Sequence, residues 1–435
     1  MLRVLVISRE CWRADSNEGS VLTSLFSGQP FEFANIYCKP GAPDNGVCAR
    51  YFQLTDRMAA DRLLHGKKTP MGRAFTQEPG APQQAPEREN RRFYDFFRRN
   101  NLAVFQTLRE LLWKLAGVDE KGVAAFVHAF QPDVIFAPLC YSEYVLRVHR
   151  IAAEAARCPV VTYAYDDLYS LRQFRFSPLF WVNRFSLRHA IRKTLPYYAY
   201  AYTMSEEQAR EYGPLLGLPM RVLQKCADTV PAAPHAPRGG EVRFLYAGGV
   251  YYGRDRTLMR IADAVRACRA DGLACRMDVY TNSPLAKRAL TSLDDGAACR
   301  VHAAVPRDAL LKAYADSDVA LHVESFRLRD RCTTRLSFSS KIVDCLMSGC
   351  AVLAVCPGEN AGYRYLADAG AAVCVDAPAA VEAAVRRLVG DPAFLRDKAA
   401  AALALARRAH DAATVRARLC SELTALSAAE QKSEA

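Results

Sequence analysis

Short apolar runs alternate with longer stretches of helical spacing along most of the chain. In the first half, Val4–Ser8, Phe33–Tyr37, Val134–Ala137, Val160–Tyr163 and Tyr200–Thr203 have the β-branched and aromatic content of buried strands, and helices are expected between them. The second half repeats the pattern more cleanly. Strands are expected at Val242–Tyr246, Arg276–Thr281, Arg300–Ala304, Val319–Val323, Ala351–Val355 and Ala372–Val375, with helical spacing at Asp255–Arg269, Pro306–Ala315 and Ser340–Ser348. Such alternation favours mostly parallel sheets with helices on both faces. At 435 residues the chain exceeds what one core usually serves. Two Rossmann-like, doubly wound α/β domains are therefore expected, over residues 1–230 and 241–400. The Pro- and Gly-rich stretch Pro231–Gly240 reads as their linker. Residues 66–90, rich in Gly, Pro, Gln and Lys, read as a mobile loop inserted in the first domain, and the alanine-rich tail, with 401–435 at its end, as terminal helices.

Composition narrows the class. With 51% hydrophobic and 24% charged residues the chain reads as soluble and globular, and no apolar run approaches the roughly 20 residues that span a bilayer. The start has about five apolar residues before Arg9, too few for a signal peptide, and reads as a first strand. Fifteen cysteines, scattered and without a C-x-x-C pair, several inside apolar stretches (Cys140, Cys268, Cys345, Cys374), point to reduced core thiols and the cytosol. Cys345, Cys350 and Cys356 lie closest together, but on a helix, a turn and a strand, so no metal site is expected.

The net charge of +12 calls for an anionic partner: phosphates, membrane lipid or nucleic acid. Between Arg172 and Lys193 basic residues interleave with Phe174, Phe176, Phe180, Trp181 and Phe185 and no acid intervenes. That composition suits either an anionic membrane surface or a solvated helix face with its aromatics in the core. A second such stretch runs from Arg88 to Lys114. No nucleic-acid recognition motif accompanies the charge.

Candidate chemistry gathers at two turns of the second half. In Tyr246–Arg256, Gly248 and Gly249 allow close backbone approach, and Arg254 or Arg256 can clamp phosphate oxygens at the start of a helix. The G-x-G-x-x-G fingerprint of dinucleotide-binding oxidoreductases is lacking, which disfavours a dehydrogenase. In Leu336–Ala354, Ser339 or Ser340 can cap a helix whose amides face an anion, and Lys341 adds charge beside them. Asp344, one turn on, is placed to accept hydrogen bonds from vicinal ribose hydroxyls.

The first half offers fewer candidates. Asp166 and Asp167, at the carboxyl end of the strand Val160–Tyr163, can orient or deprotonate an acceptor hydroxyl, or cap the helix that follows. Gly19, after the first strand, either lets amides approach a phosphate or makes a plain turn. His128, His149, His302 and His322 lie singly and read as structural, with His322, just before Glu324, the one placed nearest the chemistry.

The run Ser339–Ala354, S-S-K-I-V-D-C-L-M-S-G-C-A-V-L-A, resembles the donor signature S-K-x-x-E-Y-L-A-S-G-x-P-V-L-A of family 4 glycosyltransferases. Val301–Leu321, Tyr202–Ser205 and Lys225–Asp228 are similar to further runs of that family. The resemblance implies a GT-B fold, with two Rossmann-like domains facing a cleft and terminal helices bracing the first. It also implies a nucleoside diphosphate sugar donor, retention of anomeric configuration, and neither metal nor cofactor. By position it assigns ribose binding to Asp344 and phosphate binding to Arg254 and Lys341. The family's first acid falls on Leu336, leaving Glu324 to replace it, and Tyr165 stands where the family has a functional His. The donor-binding set is then Gly19, Gly248, Gly249, Glu324, Ser339, Ser340 and Asp344, and the catalytic set Asp166, Asp167, Arg254 and Lys341. The implied activity is hexosyl transfer to a glycan or lipid-linked acceptor in cell-surface polysaccharide biosynthesis, in the cytoplasm or at the inner face of the plasma membrane. A nucleotide-sugar 2-epimerase of the same fold and a non-catalytic donor-binding scaffold are the alternatives.

Overall fold

Burial on both faces accounts for the uninterrupted apolar runs. In the computed structural model, which describes residues 1–13, 17–66, 69, 71–78, 103–228, 231, 233–235 and 240–434, these runs form two sheets, one in each of two units. Unit 1 comprises Met1–Leu171, Arg175–Leu223 and Thr414–Ala435, and unit 2 comprises Arg172–Phe174 and Gln224–Ala413.

Unit 1 runs β1 (Leu2–Ser8), α1 (Asn17–Phe26), β2 (Phe31–Tyr37), β3 (Arg50–Gln53), α2 (Asp56–His65), β4 (Arg73–Thr76), α3 (Ala103–Ala116), α4 (Glu120–Phe130), β5 (Val134–Pro138), α5 (Glu143–Ala156), β6 (Val160–Ala164), α6 (Pro178–Thr194), β7 (Tyr198–Thr203), α7 (Glu206–Leu216) and β8 (Met220–Val222). The sheet order is β4-β3-β2-β1-β5-β6-β7-β8, and the β3–β4 pair is antiparallel in an otherwise parallel sheet. Leu2–Ser8 pair with Phe31–Tyr37 on one side and Val4–Val6 with Val134–Phe136 on the other, so β1 is central and Val4–Ile7 are wholly buried. The order reverses between β1 and β5, and doubly wound folds bind ligands outside the carboxyl ends of strands at such a switch point.

Unit 2 runs β9 (Val242–Ala247), α8 (Arg254–Ala270), β10 (Cys275–Tyr280), α9 (Lys287–Leu293), β11 (Cys299–His302), α10 (Arg307–Ala315), β12 (Val319–Val323), α11 (Leu328–Thr334), α12 (Lys341–Leu346), β13 (Ala351–Val355), α13 (Ala361–Asp368), β14 (Val373–Val375), α14 (Val381–Gly390) and α15 (Pro392–His410). Its six strands, in the order β11-β10-β9-β12-β13-β14, are all parallel, and the switch point lies between β9 and β12. Phe244, Met277, Val319 and Leu353 from the sheet share one core with Leu258, Ile261, Val385 and Leu388 from the helices.

The last helix, α16 (Ala412–Glu434), folds with unit 1 from Thr414 onward. Gln29 Nε2 donates to the Arg416 carbonyl at 2.7 Å, Arg416 Nε donates to the Ser24 carbonyl at 2.7 Å, and Arg221 pairs with Glu422 at 3.3 Å. Leu419 and Leu423 are fully buried.

Three boundaries differ from the sequence expectation. The division falls at Leu223/Gln224 rather than at 230, because Lys225 is ion-paired with Asp344 at 2.8 Å and Ala227 bridges Asp411 within unit 2. The tail that joins unit 1 starts at Thr414 rather than 401, since α15 packs on β13. Arg73–Thr76, inside the expected loop of residues 66–90, is a strand on the sheet edge. At three or four residues β3, β4 and β8 are too short to carry a periodicity. The rest of that loop, most of the Arg88–Lys114 stretch and much of the 231–240 linker lie outside the described residues. Leu419→Ala, which empties a fully buried position of α16, is expected to cost unit 1 about 2–5 kcal/mol, read as a lowered urea midpoint.

Candidate functional site

In unit 2 the carboxyl ends of β9 and β12 carry the residues that the sequence singles out. β9 ends at Ala247, and Gly248 follows at φ +140°, a conformation that L side chains rarely adopt. A Cβ at Gly248 would lie 1.8 Å from Lys341 Cε, so a side chain there would strain the turn and push the lysine stem aside. Gly253 then caps α8 in the left-handed region, and Arg254 opens the helix. From the neighbouring strand Glu324, just past β12, receives Arg254 through two hydrogen bonds, at 2.6 and 3.1 Å, and is itself 2% exposed. Thr257 Oγ1 donates to the Glu324 carbonyl at 2.7 Å and fixes this acid to the first turn of α8.

The electrostatics follow from that geometry. Burial presses the Arg254 guanidinium downward, but the charge and hydrogen bonds of Glu324 outweigh it and hold Arg254 well above its ordinary value. Lys341 has no such partner. Burial and then the nearby Arg254 push its ammonium down to about 8, against the pull of Glu324. His322 is pushed down to about 4 by burial, and its buried Nε2 has no hydrogen-bond partner among the described residues. Arg254, expected from the sequence to grip phosphate together with Lys341, has its partly buried guanidinium ion-paired with Glu324 at 2.6 Å. Lys341 is the cation of the cluster whose ammonium makes no hydrogen bond among the described residues, burial and Arg254 lowering it.

The turn before α12 departs from expectation in its cap. Neither Ser339 nor Ser340 caps the helix with its side chain, and the turn is closed by the Ile342 amide on the Ser339 carbonyl at 2.9 Å. Asp344 accepts two hydrogen bonds from Lys225 Nζ, at 2.8 and 3.1 Å, so the expected ribose acid is oriented by a lysine that is 5% exposed. Gly249 stays at the turn, where its carbonyl accepts from Tyr246 Oη at 2.7 Å.

In unit 1 the paired aspartates separate. Asp167 is 3% exposed and accepts from the Ser170 amide at 2.9 Å, from Tyr212 Oη at 2.8 Å and from Arg184 at 3.2 Å, with the Ser170 hydroxyl on its second oxygen. It ties the segment after β6 to α6 and α7, and both its oxygens are committed to that role. Asp166 is exposed, and its carbonyl accepts from Gln208 at 3.1 Å. Gly19 lies inside the first turn of α1 rather than in a turn ahead of it.

Its neighbour Glu18 emerges as a polar feature of the β1/β5 switch point. Burial, reinforced by Glu10, raises the Glu18 carboxyl from 4.5 to about 7, and the Glu10 amide donates to it at 3.4 Å. Lys39 pairs with Glu10 at 2.5 Å. Arg9 Nε and the Tyr165 hydroxyl are buried without hydrogen-bond partners among the described residues, and Tyr165 lies close enough to Glu18 for the two charges to interact. No spacing in the sequence marks Glu18, since its neighbours come from strands far apart in the chain.

The other histidines and the clustered cysteines are structural in their contacts. His149 Nδ1 bonds Tyr198 Oη at 2.8 Å, His302 bonds Asp278 at 2.7 Å, and His128 is exposed on α4. Cys345, Cys350 and Cys356 are buried with their thiols on backbone carbonyls.

Residues 263–421 match the family model described as glycosyl transferase-like. The chain carries a glycosyl transferase-like region on a GT-B fold. Among solved structures, Anabaena HepE in complex with UDP and glucose aligns over 98% of this chain and 100% of its own, at 14% identity and a TM-score of 0.61. An alpha,alpha-trehalose-phosphate synthase (UDP-forming) from Burkholderia vietnamiensis aligns over 97% and 100%, at 13% identity and 0.57. The E. coli trehalose-6-phosphate enzyme structure bound with UDP-2-fluoro glucose aligns over 97% and 98%, at 12% identity and 0.57. At these identities the likeness is one of fold. No curated protein matches by sequence.

Glu18 sets a pH test with a definite sign. Its carboxyl titrates higher in the folded chain than in the unfolded one, so the stability it contributes is present below 4.5 and is lost as pH rises through about 7. Glu18→Gln is expected to match the wild type near pH 5 and to exceed it near pH 8 by on the order of 1–2 kcal/mol, read from urea midpoints.

Proposed function

We propose that the chain is a family 4, retaining glycosyltransferase that moves a hexosyl group from a nucleoside diphosphate sugar to a hydroxyl of a glycan or lipid-linked acceptor in cell-surface polysaccharide biosynthesis. The reading rests on Lys341, a cation without a hydrogen bond among the described residues at the switch point of unit 2, whose stem crosses Gly248 where a side chain would displace it. A diphosphate placed there would raise the Lys341 ammonium back toward its ordinary value, since an anion beside a desolvated ammonium offsets burial. Glu324 and Arg254 act as a rigid pair that fixes the Gly248–Gly249 turn and keeps Lys341 from collapsing onto a carboxylate of its own. Asp344, oriented by Lys225, receives the ribose hydroxyls.

In the transfer step the bond from the anomeric carbon to the diphosphate oxygen breaks, and the bond to the acceptor oxygen forms on the same face. The acceptor proton passes to the departing diphosphate. Lys341 stabilises the charge that develops on that leaving group, and the reading assigns this work to no metal and no cofactor. On the acceptor side, Glu18, Arg9 and Tyr165 of unit 1 replace Asp167 as the groups that meet acceptor hydroxyls. Asp166 remains a surface candidate. A uridine nucleotide is favoured because the HepE structures hold UDP and UDP-glucose. The work is placed in the cytoplasm, at the inner face of an anionic membrane.

The test is a thermal-shift titration of the full chain. UDP and UDP-glucose are expected to raise the melting temperature, and Lys341→Ala and Gly248→Val to weaken that binding at least tenfold, which is about 1.4 kcal/mol. Absence of a shift across a panel of nucleoside diphosphates, or an undiminished shift in Lys341→Ala, would remove the basis of the reading.

A further inference from the structure

Helix α3 buries Trp113 and Ala116 beside Glu110 and also exposes a second apolar stripe. Its inward face carries Arg109, Glu110 and Trp113: Arg109 Nε and Trp113 Nε1 both donate to Asp56 Oδ1, at 2.9 and 2.7 Å, and the Trp113 ring stacks on Tyr144 at 4.0 Å. Its outward face carries Val104, Leu108, Leu111 and Leu115, spaced four, three and four residues apart and all exposed, Leu115 by 63%. An ordinary surface helix keeps its outward face polar. The neighbouring α6 buries Leu187, Ala190 and Ile191 beside Arg184, yet still leaves Val182 and Phe185 exposed. The two helices are bonded side by side, Thr107 Oγ1 donating to Asn183 at 2.9 Å and Asn183 Nδ2 donating to the Ala103 carbonyl at 2.9 Å. On the other flank α2, packed against α3, presents Leu64 at 77% exposure.

Charge says what this face meets. The exposed ionisable side chains on α3 and α6 are Lys114, which pairs with Glu143 at 3.2 Å, His189, Arg192 and Lys193, and the acid of these two helices, Glu110, is buried. On α2 Arg57 and His65 are exposed, and the acid that shows there, Asp61, is paired with Arg57 at 3.9 Å. Two copies of such a face would repel one another. An apolar stripe flanked by cations fits an anionic bilayer, where the leucines enter the acyl boundary and the lysines and arginines meet lipid phosphates. We infer that the α2/α3/α6 face of unit 1 docks on the surface of an anionic membrane, with Leu108, Leu111 and Leu115 as the inserted residues. The inference gives a location to the membrane part of the function proposed above and is independent of the donor chemistry.

The experiment is co-sedimentation of the full chain with vesicles of phosphatidylcholine containing one-third phosphatidylglycerol. The wild type is expected to pellet with them, to be released by high salt and to ignore pure phosphatidylcholine. Leu108→Glu with Leu111→Glu is expected to reduce binding at least tenfold. Leu290→Glu, at an exposed leucine of unit 2, is expected to leave it unchanged. Because the substituted leucines are exposed, the double variant should keep the wild-type melting temperature, and Arg192→Glu with Lys193→Glu provides a second route to the same loss. Failure of the wild type to bind anionic vesicles, binding that survives both double variants, or a concentration-dependent dimer abolished by the leucine variant would each overturn the inference. The UDP melting shift reads the donor site separately, so loss of one result leaves the other interpretable.

Discussion

Two partly buried cations sit beside one buried carboxylate, and it pairs with only one of them. Arg254 takes Glu324 through two hydrogen bonds, and Lys341, close enough to feel Arg254, Glu324 and Asp344, has no hydrogen bond among the described residues. The remaining architecture of unit 2 serves that imbalance. The strand order reverses between β9 and β12, which opens the carboxyl ends of those strands to a ligand. Gly248 gives up its side chain so that the lysine stem can cross the turn, and Thr257 pins the backbone of Glu324. Under the function proposed above, this positive charge would meet the diphosphate of the donor.

Unit 1 obeys a different constraint. Its buried charges are fully bonded where they support the fold, as in the cage of Ser170, Arg184 and Tyr212 around Asp167, and incompletely bonded at the β1/β5 switch point, where Glu18, Arg9 and Tyr165 converge. The contrast separates scaffold from site more sharply than residue type does. In the same unit α3 and α6 bury Glu110 and Arg184 beside apolar residues and leave Leu108, Leu111, Leu115, Val182 and Phe185 exposed. Inward polar groups cost stability unless bonded, and Asp56, Tyr144 and Asp167 bond the arginines here.

Much of the architecture was legible in the chain. β12 at Val319–Val323 and β13 at Ala351–Val355 match their apolar runs residue for residue, because strands buried on both faces cannot interrupt them. The Gly248, Lys341 and Asp344 positions stood out because glycine freedom and charge at helix starts have local signatures. Asp167 and Glu18 were not separable by sequence, since an acid after a strand looks alike whether it is caged or held at a crevice. Arg254 likewise gave no sign that Glu324, seventy positions later, would claim it.

By itself, then, the sequence determined the two parallel α/β sheets, the glycine turn and the lysine beside it, since these depend on periodicity and on what single residue types can do. Tertiary structure alone decided which charges are paired, where the unit boundary falls and which face of α3 meets solvent. Pairing and burial depend on distances between residues remote in the chain, and no local pattern encodes those distances.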